Sequence, residues 1–303
     1  MTYNKLFEDL FLKYYSNDQY SEVTSSHWRK YGEKTKVAKT SSGYEVGAHG
    51  ISNFRNKSPL RSLKNIPVAF LISKLLARYK AENKTIETAK SITDELNIYF
   101  DFDHAKCVLI YDLLNSYNLF ETKHIICIIG DGHGFLGTLI KKMCPEAKIL
   151  FINLGRNLLI DALCFSKIFP ELEHLHLQQP KNSYQLNGQS ILFLETEQFE
   201  NMQTLPISLF INIASMQEMD MKVIDSYFEY MRHSSEESHF YCLNREEKLL
   251  PDGSVTKFMD YPWGEEEILL DGQCPFYQKY PSSRPPFYHD FDGSHRHRLV
   301  KLK

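Results

Sequence analysis

Along the chain the spacing of apolar positions changes character once, near residue 121. Residues 3–16 place Leu6, Phe7, Leu10, Phe11 and Tyr14 at helical spacing and predict an amphipathic helix. Residues 17–65 are polar, and their Gly, Ser and Asn content predicts a long loop of the kind used as a lid or binding loop. "IPVAFLISKLLARYKAE" (66–82) predicts a second amphipathic helix with Pro67 in its first turn. "DFDHAKCVLIYDLLNSYNLF" (101–120) predicts a third, with an acidic residue placed to cap it. Beyond 121, short apolar runs at 124–129, 147–154, 190–195, 207–214 and 239–244 predict buried strands, and 134–143, 156–169 and 216–232 predict the helices between them. Strands alternating with helices predict a parallel sheet covered on both faces. The tail 245–303 is rich in Pro, Tyr and His and reads as one or two further strands. The expected organisation is a helical cap over 1–120 and an α/β core over 121–303.

The first core strand runs into "IIGDGHG", with Gly130, Gly132 and Gly134 two apart. A nucleoside triphosphate is disfavoured, because no Lys-Ser or Lys-Thr follows the glycines. Counted from Gly132, "GHGFLG" satisfies the dinucleotide pattern, but Gly130 already closes the strand, and the acidic residue expected about 20 residues on is absent. Arg156 there suits a 2′-phosphate, which keeps an NADP-dependent oxidoreductase as the alternative. A third ligand is S-adenosylmethionine, for which Gly-x-Gly-x-Gly follows the first strand directly and lets the backbone approach the cofactor. A glycine turn in a non-catalytic α/β binding module is the remaining possibility.

Further segments narrow this choice. "LFINIASMQEMD" (209–220) resembles the sugar O-methyltransferase family, in which an Asn closes the fourth strand and Ser-x-Gln-Glu-Met opens the helix; here these are Asn212, Ser215, Gln217, Glu218 and Met219. "FYCLNREEKLLPDG" (240–253), "FMDYPW" (258–263) and "IIGDGHG" are similar to further segments of that family, with Asp131 where a glycine is frequent. "FINLG" (151–155) aligns with a segment whose Asp contacts the ribose hydroxyls, and Asn153 stands in that place beside Leu154. The resemblance spans about 125–265. It implies a Rossmann-like class I methyltransferase sheet with S-adenosylmethionine as cofactor and a sugar hydroxyl as acceptor. The acceptor it implies is a surface polysaccharide, a nucleotide sugar or a glycoside. Gly130, Asp131, Gly132, Gly134, Asn153, Leu154 and Asn212 are then cofactor residues.

Chemistry and position select the remaining candidates. Glu218, just after strand four, is the first candidate general base, although an acid also favours the first turn of a helix. Ser215 and Gln217 suit the sugar or the cofactor, or cap the same helix. Glu195 ends strand three, a place for ribose or adenine. His49, in "GAHGISN" of the expected lid, is the second candidate base, and Arg55 and Lys57 beside it suit an anionic acceptor. Asn244, Arg245, Tyr261 and Trp263 follow strand five: the two rings suit a sugar face, and Arg245 suits a carboxylate or phosphate, with a packed C-terminal hairpin as the alternative. His133 lies in the glycine turn on the cofactor side. "HLH" (174–176) and "HRH" (295–297) lack a third ligand at a metal-site spacing, so no metal is expected.

Composition adds limits. The 303-residue chain carries a formal charge of -3, which gives no bulk attraction to nucleic acid. Six cysteines without Cys-x-x-Cys spacing, several in apolar runs, predict buried free thiols in a reducing compartment. The N-terminus has no uninterrupted apolar core of a signal peptide, and no window approaches the ~20 apolar residues of a membrane span. The expected location is the cytoplasm. The sequence leaves the oligomeric state open, a homodimer included.

Overall fold

The computed structural model describes residues 5–15, 25–31, 36–40, 43–47, 59–120, 125–172, 174–176, 191–196, 198, 205–234, 238–282 and 284–302. The N-terminal part comprises α1 (Lys5–Tyr15), α2 (Ser26–Tyr31), a hairpin of β1 (Lys36–Thr40) and β2 (Gly43–Gly47), α3 (Pro59–Arg78), α4 (Asn83–Glu95) and α5 (Phe102–Ser116). The core continues with β3 (Ile125–Ile129), α6 (Phe135–Met143), β4 (Lys148–Asn153), α7 (Gly155–Ile168), β5 (His174–His176), β6 (Ile191–Glu195), β7 (Ile207–Ile213), α8 (Met221–Ser234) and β8 (His239–Arg245). The tail forms β9 (Glu247–Leu249), β10 (Val255–Lys257), β11 (Glu267–Gln273), β12 (Lys279–Pro281), β13 (Tyr288–Asp290) and β14 (His295–Lys301).

Eight strands form one sheet in the order β11-β14-β8-β7-β3-β4-β6-β5. β3, β4, β5, β6, β7 and β8 pair in parallel, and β14 runs antiparallel between β8 and β11. This is a Rossmann-like α/β sheet. The apolar runs alternate between its faces: Ile126 and Ile128 join the cluster under α4 to α7, while Ile125, Cys127 and Ile129 join the one under α8. Register carries the site. Ile129 lies opposite Ile152 on β4 and Asn212 on β7, and Asn153 lies opposite Glu195 on β6. Four strands therefore end level, and the turns leaving their carboxyl ends meet at one edge.

Several boundaries differ from the expected ones. The second helix starts at Pro59, so Pro67 lies inside it at the cost of one backbone hydrogen bond. The expected helix 216–232 is a single 3-10 turn (Met216–Glu218) followed by α8; Met216 N–H donates to Asn212 Oδ1, which holds the first turn to the strand end. The polar stretch 17–65, expected as a loop, contains α2, the β1–β2 hairpin and the start of α3 among its described residues. The tail, expected to hold one or two strands, contributes two to the main sheet and four to small hairpins; β14 is largely buried, whereas β11 and the hairpin strands are largely exposed or half-buried and lack continuous apolar runs. The N-terminal helices share one apolar cluster with the sheet: Phe7, Leu10, Ile92 and Val108 pack in the same cluster as Phe151 and Phe193, so packing continues across residue 120. The six cysteines are free and all but Cys144 are buried. Among the described residues no helix is long and apolar enough to cross a membrane.

Candidate active site

The glycine turn is built from left-handed backbone, with φ of +71° at Gly130, +82° at Gly132 and +70° at Gly134. A side chain at Gly130 would place Cβ 2.3 Å from Ser215 Oγ, and one at Gly134 would sit 3.0 Å from the Asp161 backbone on α7. At Gly132 a Cβ would meet nothing within 4 Å. Two glycines are thus required by packing against the protein, and the middle one faces open space. Asp131 turns away from that space. Its carboxylate accepts the backbone N–H groups of Leu136 and Gly137 at the start of α6, and burial pushes its pKa up to about 6. Behind the turn, Asp161 is fully buried, accepts from Asn153 Nδ2 at 2.9 Å, and is pushed well above the usual carboxylate range by burial and by the nearby Asp131 charge.

A buried amide network locks the strand ends beside this turn. Asn212 Nδ2 donates to Ile129 carbonyl at 2.9 Å and to Ser215 Oγ at 2.6 Å, and its Oδ1 accepts from Asn244 Nδ2 at 2.8 Å. Asn244 Oδ1 accepts the Gln217 N–H, and Gln217 Oε1 accepts the Arg245 N–H. Ala214, left-handed at φ +56°, turns the chain so that Ser215 reaches under Gly130. Asn212, Asn244 and Gln217, expected to meet cofactor or acceptor, use these polar atoms to hold β3, β7 and β8 in register.

The turn opens onto a cleft of about 540 Å³. Five expected residues line it: Gly130, Gly132, Asn153, Leu154 and Ser215. Tyr227 and Val223 of α8, Thr196 after β6, and Ser25 and Trp28 at α2 are among its other walls. Asn153 keeps its amide occupied, since Nδ2 donates to Asp161 and Oδ1 accepts the Leu154 N–H at 3.0 Å. Glu195 is not among the lining residues. Its Oε1 accepts from Lys13 Nζ of α1 at 2.5 Å, which ties the cap to the end of β6.

Glu218 sits one residue before the cleft-lining Met219 and Asp220. Its carboxylate lies 3.3 Å from His27 Nε2 of α2 and 3.8 Å from Lys248 Nζ of β9. Burial pushes its pKa up to about 7, against the opposing pull of Lys248 and Arg245. Sequence reasoning missed His27, a lone histidine in a polar stretch with no spacing to mark it.

The rings after β8 pack against the protein, as the packed-hairpin alternative has it. Tyr261 is 3% exposed, and Trp263 packs against Phe228 and Phe240 with the Arg298 guanidinium 4.6 Å over its ring. His133 stacks near His104 under the turn, and burial holds its pKa at about 4. His295 and His297 are buried in β14 against Tyr277 and Tyr241. His49, Arg55 and Lys57 lie outside the described residues. Among the described residues no three His, Cys, Asp or Glu side chains converge as a metal site would need.

No family model and no curated protein matches the chain. Solved structures do. A protein from Thermoplasma acidophilum superposes with a TM-score of 0.45 at 8% identity, over 72% of this chain and 97% of that one. A SAM-dependent methyltransferase from Anabaena variabilis gives 0.42 at 10% identity, over 64% and 84%. Magnesium protoporphyrin IX methyltransferase from Synechocystis, solved with bound SAH, gives 0.39 at 10%, over 64% and 80%. The oxidoreductase alternative finds no support: the antiparallel β14 breaks the all-parallel dinucleotide order, and Arg156 does not line the cleft.

Proposed function

We propose that the protein is an S-adenosylmethionine-dependent O-methyltransferase whose acceptor is a sugar hydroxyl. The observation that carries the reading is a glycine-floored cleft with a buried carboxylate beside it, that of Glu218, next in the chain to the cleft-lining Met219 and 3.3 Å from His27. The cleft suits the cofactor: Gly132 leaves open space where a side chain would project, Ile152, Leu154, Val223 and Tyr227 offer apolar walls to an adenine, and Thr196 offers a hydroxyl. When bound, the cofactor supplies an electrophilic methyl group. The chain's own residues have two tasks, aligning the acceptor and removing its proton. A sugar hydroxyl is a very weak acid, whereas a carboxylate acceptor needs no base at all. Glu218, with its pKa near 7, is matched to taking a proton from a hydroxyl at neutral pH. His27 Nε2, 3.3 Å away, holds its carboxylate in place. The sugar is supported by the resemblance of 209–220, 240–253 and 258–263 to the sugar O-methyltransferase family.

The test is transfer of a tritiated methyl group from S-adenosylmethionine to a panel of sugars, glycosides and nucleotide sugars. The reading expects label in a base-stable methyl ether, lost in Glu218→Gln. Label released by mild base would mean an ester and a carboxylate acceptor, and would contradict it.

A further inference from the structure

Two cations flank Glu218 with too little acid to match them. Arg245, closing β8, is 17% exposed; among the described residues its Nε has no hydrogen-bond partner, and its ion pair is a 3.3 Å contact to Asp292, whose side chain is fully exposed. Lys248 is 15% exposed, and its nearest acid among the described residues is Glu218 at 3.8 Å, beyond hydrogen-bond reach. The neighbouring acids are engaged elsewhere: Glu246 accepts from Ser294 and faces Arg296, and Glu247 pairs with Lys257. His295, opposite Arg245 on β14, is held at a pKa of about 3 by burial and by the charges of Arg245, Lys106 and Lys248. Largely buried cations are costly without an anion to meet them, and the planar guanidinium fork matches a carboxylate or phosphate in two parallel hydrogen bonds.

We infer that Arg245 and Lys248 form a subsite for an anionic group on the acceptor, a carboxylate or a phosphate carried by the sugar whose hydroxyl meets Glu218. This rests on the methyl-transfer reading above. It narrows the acceptor from sugars in general to uronates, sugar phosphates and nucleotide sugars, and places the anion on the β8–β9 side of the base.

The test is calorimetric titration of the full chain, saturated with S-adenosylhomocysteine, by methyl glucoside, methyl glucuronide, glucose 1-phosphate and UDP-glucose. At least one anionic probe is expected to bind about tenfold or more tighter than the neutral glucoside. Which one does so separates a carboxylate from a phosphate monoester and from a diphosphate. Arg245→Gln and Lys248→Gln should each reduce that preference while S-adenosylhomocysteine affinity, which also reports folding, stays unchanged. Equal binding of neutral and anionic probes, no binding by any of them, or a preference that survives in the double variant would overturn the subsite. Failure of S-adenosylhomocysteine itself to bind would overturn the methyl-transfer reading and the subsite with it.

Discussion

His27 Nε2 on α2 and Glu218 Oε2 after β7 lie 3.3 Å apart, one residue from the cap and one from the sheet edge. The carboxylate is buried enough that its pKa rises to about 7, and the imidazole comes from a short helix that also places Ser25 and Trp28 on the cleft.

Removing the base should slow chemistry more than binding. Glu218→Gln is expected to lower kcat by roughly 10²–10⁴-fold with little change in S-adenosylhomocysteine affinity. His27→Ala should give a smaller loss and move the pH profile. In the unaltered protein kcat should rise with pH through about 7, as Glu218 ionises. A flat profile from pH 6 to 8 would contradict the assignment.

The same group sets a pH dependence of stability. Its folded pKa, about 7, lies above the ordinary 4.5, so between those values the folded state binds more protons than the unfolded one. Stability from this group is fully present below about 4.5 and is lost as pH rises through about 7. Glu218→Gln removes the loss. The variant should gain on the order of 2–3 kcal/mol relative to the parent between pH 5 and pH 8, a few degrees in Tm. Melting curves at the two pH values check it, and a pH-independent difference would count against it.

Gly130 and Gly132 should separate on substitution, though both have positive φ. Gly130→Ala adds a clash with Ser215 Oγ to the backbone cost and is expected to lose about 2–4 kcal/mol of stability. Gly132→Ala incurs only the backbone cost, about 1–2 kcal/mol, because its Cβ meets no protein atom. Its stronger effect should be on cofactor affinity. Comparable Tm losses in the two variants would contradict the packing argument.

Asn212 should behave as a structural residue. Its amide bonds Ile129, Ser215 and Asn244 in a fully buried setting, so Asn212→Ala leaves several polar groups unpaired and should cost about 2–4 kcal/mol. Chemical denaturation measures this. Loss of cofactor binding with unchanged stability would point instead to direct contact.

The sheet was legible in the sequence because strands buried on both faces read as unbroken apolar runs, as "IICII" and "KILFIN" do. The glycine turn was legible because only glycine fits Gly130 under Ser215. The segment after β7 was not: the helical pattern at 216–232 gave no sign that Asn212 would hold Met216–Glu218 in a separate turn. Tyr261 and Trp263 looked like ligand-facing rings because aromatic residues mark sugar sites and cores alike, and only packing against Phe228 decides between them. His27 was invisible because its partner, Glu218, lies far along the chain and meets it only in the folded structure.

Calorimetric titration with S-adenosylhomocysteine, with NADPH in a parallel cell, decides which cofactor the glycine turn holds. Saturable binding of S-adenosylhomocysteine, lost in Gly132→Val, is expected, and none of NADPH. Binding of NADPH alone, or S-adenosylhomocysteine affinity unaffected by Gly132→Val, would contradict it.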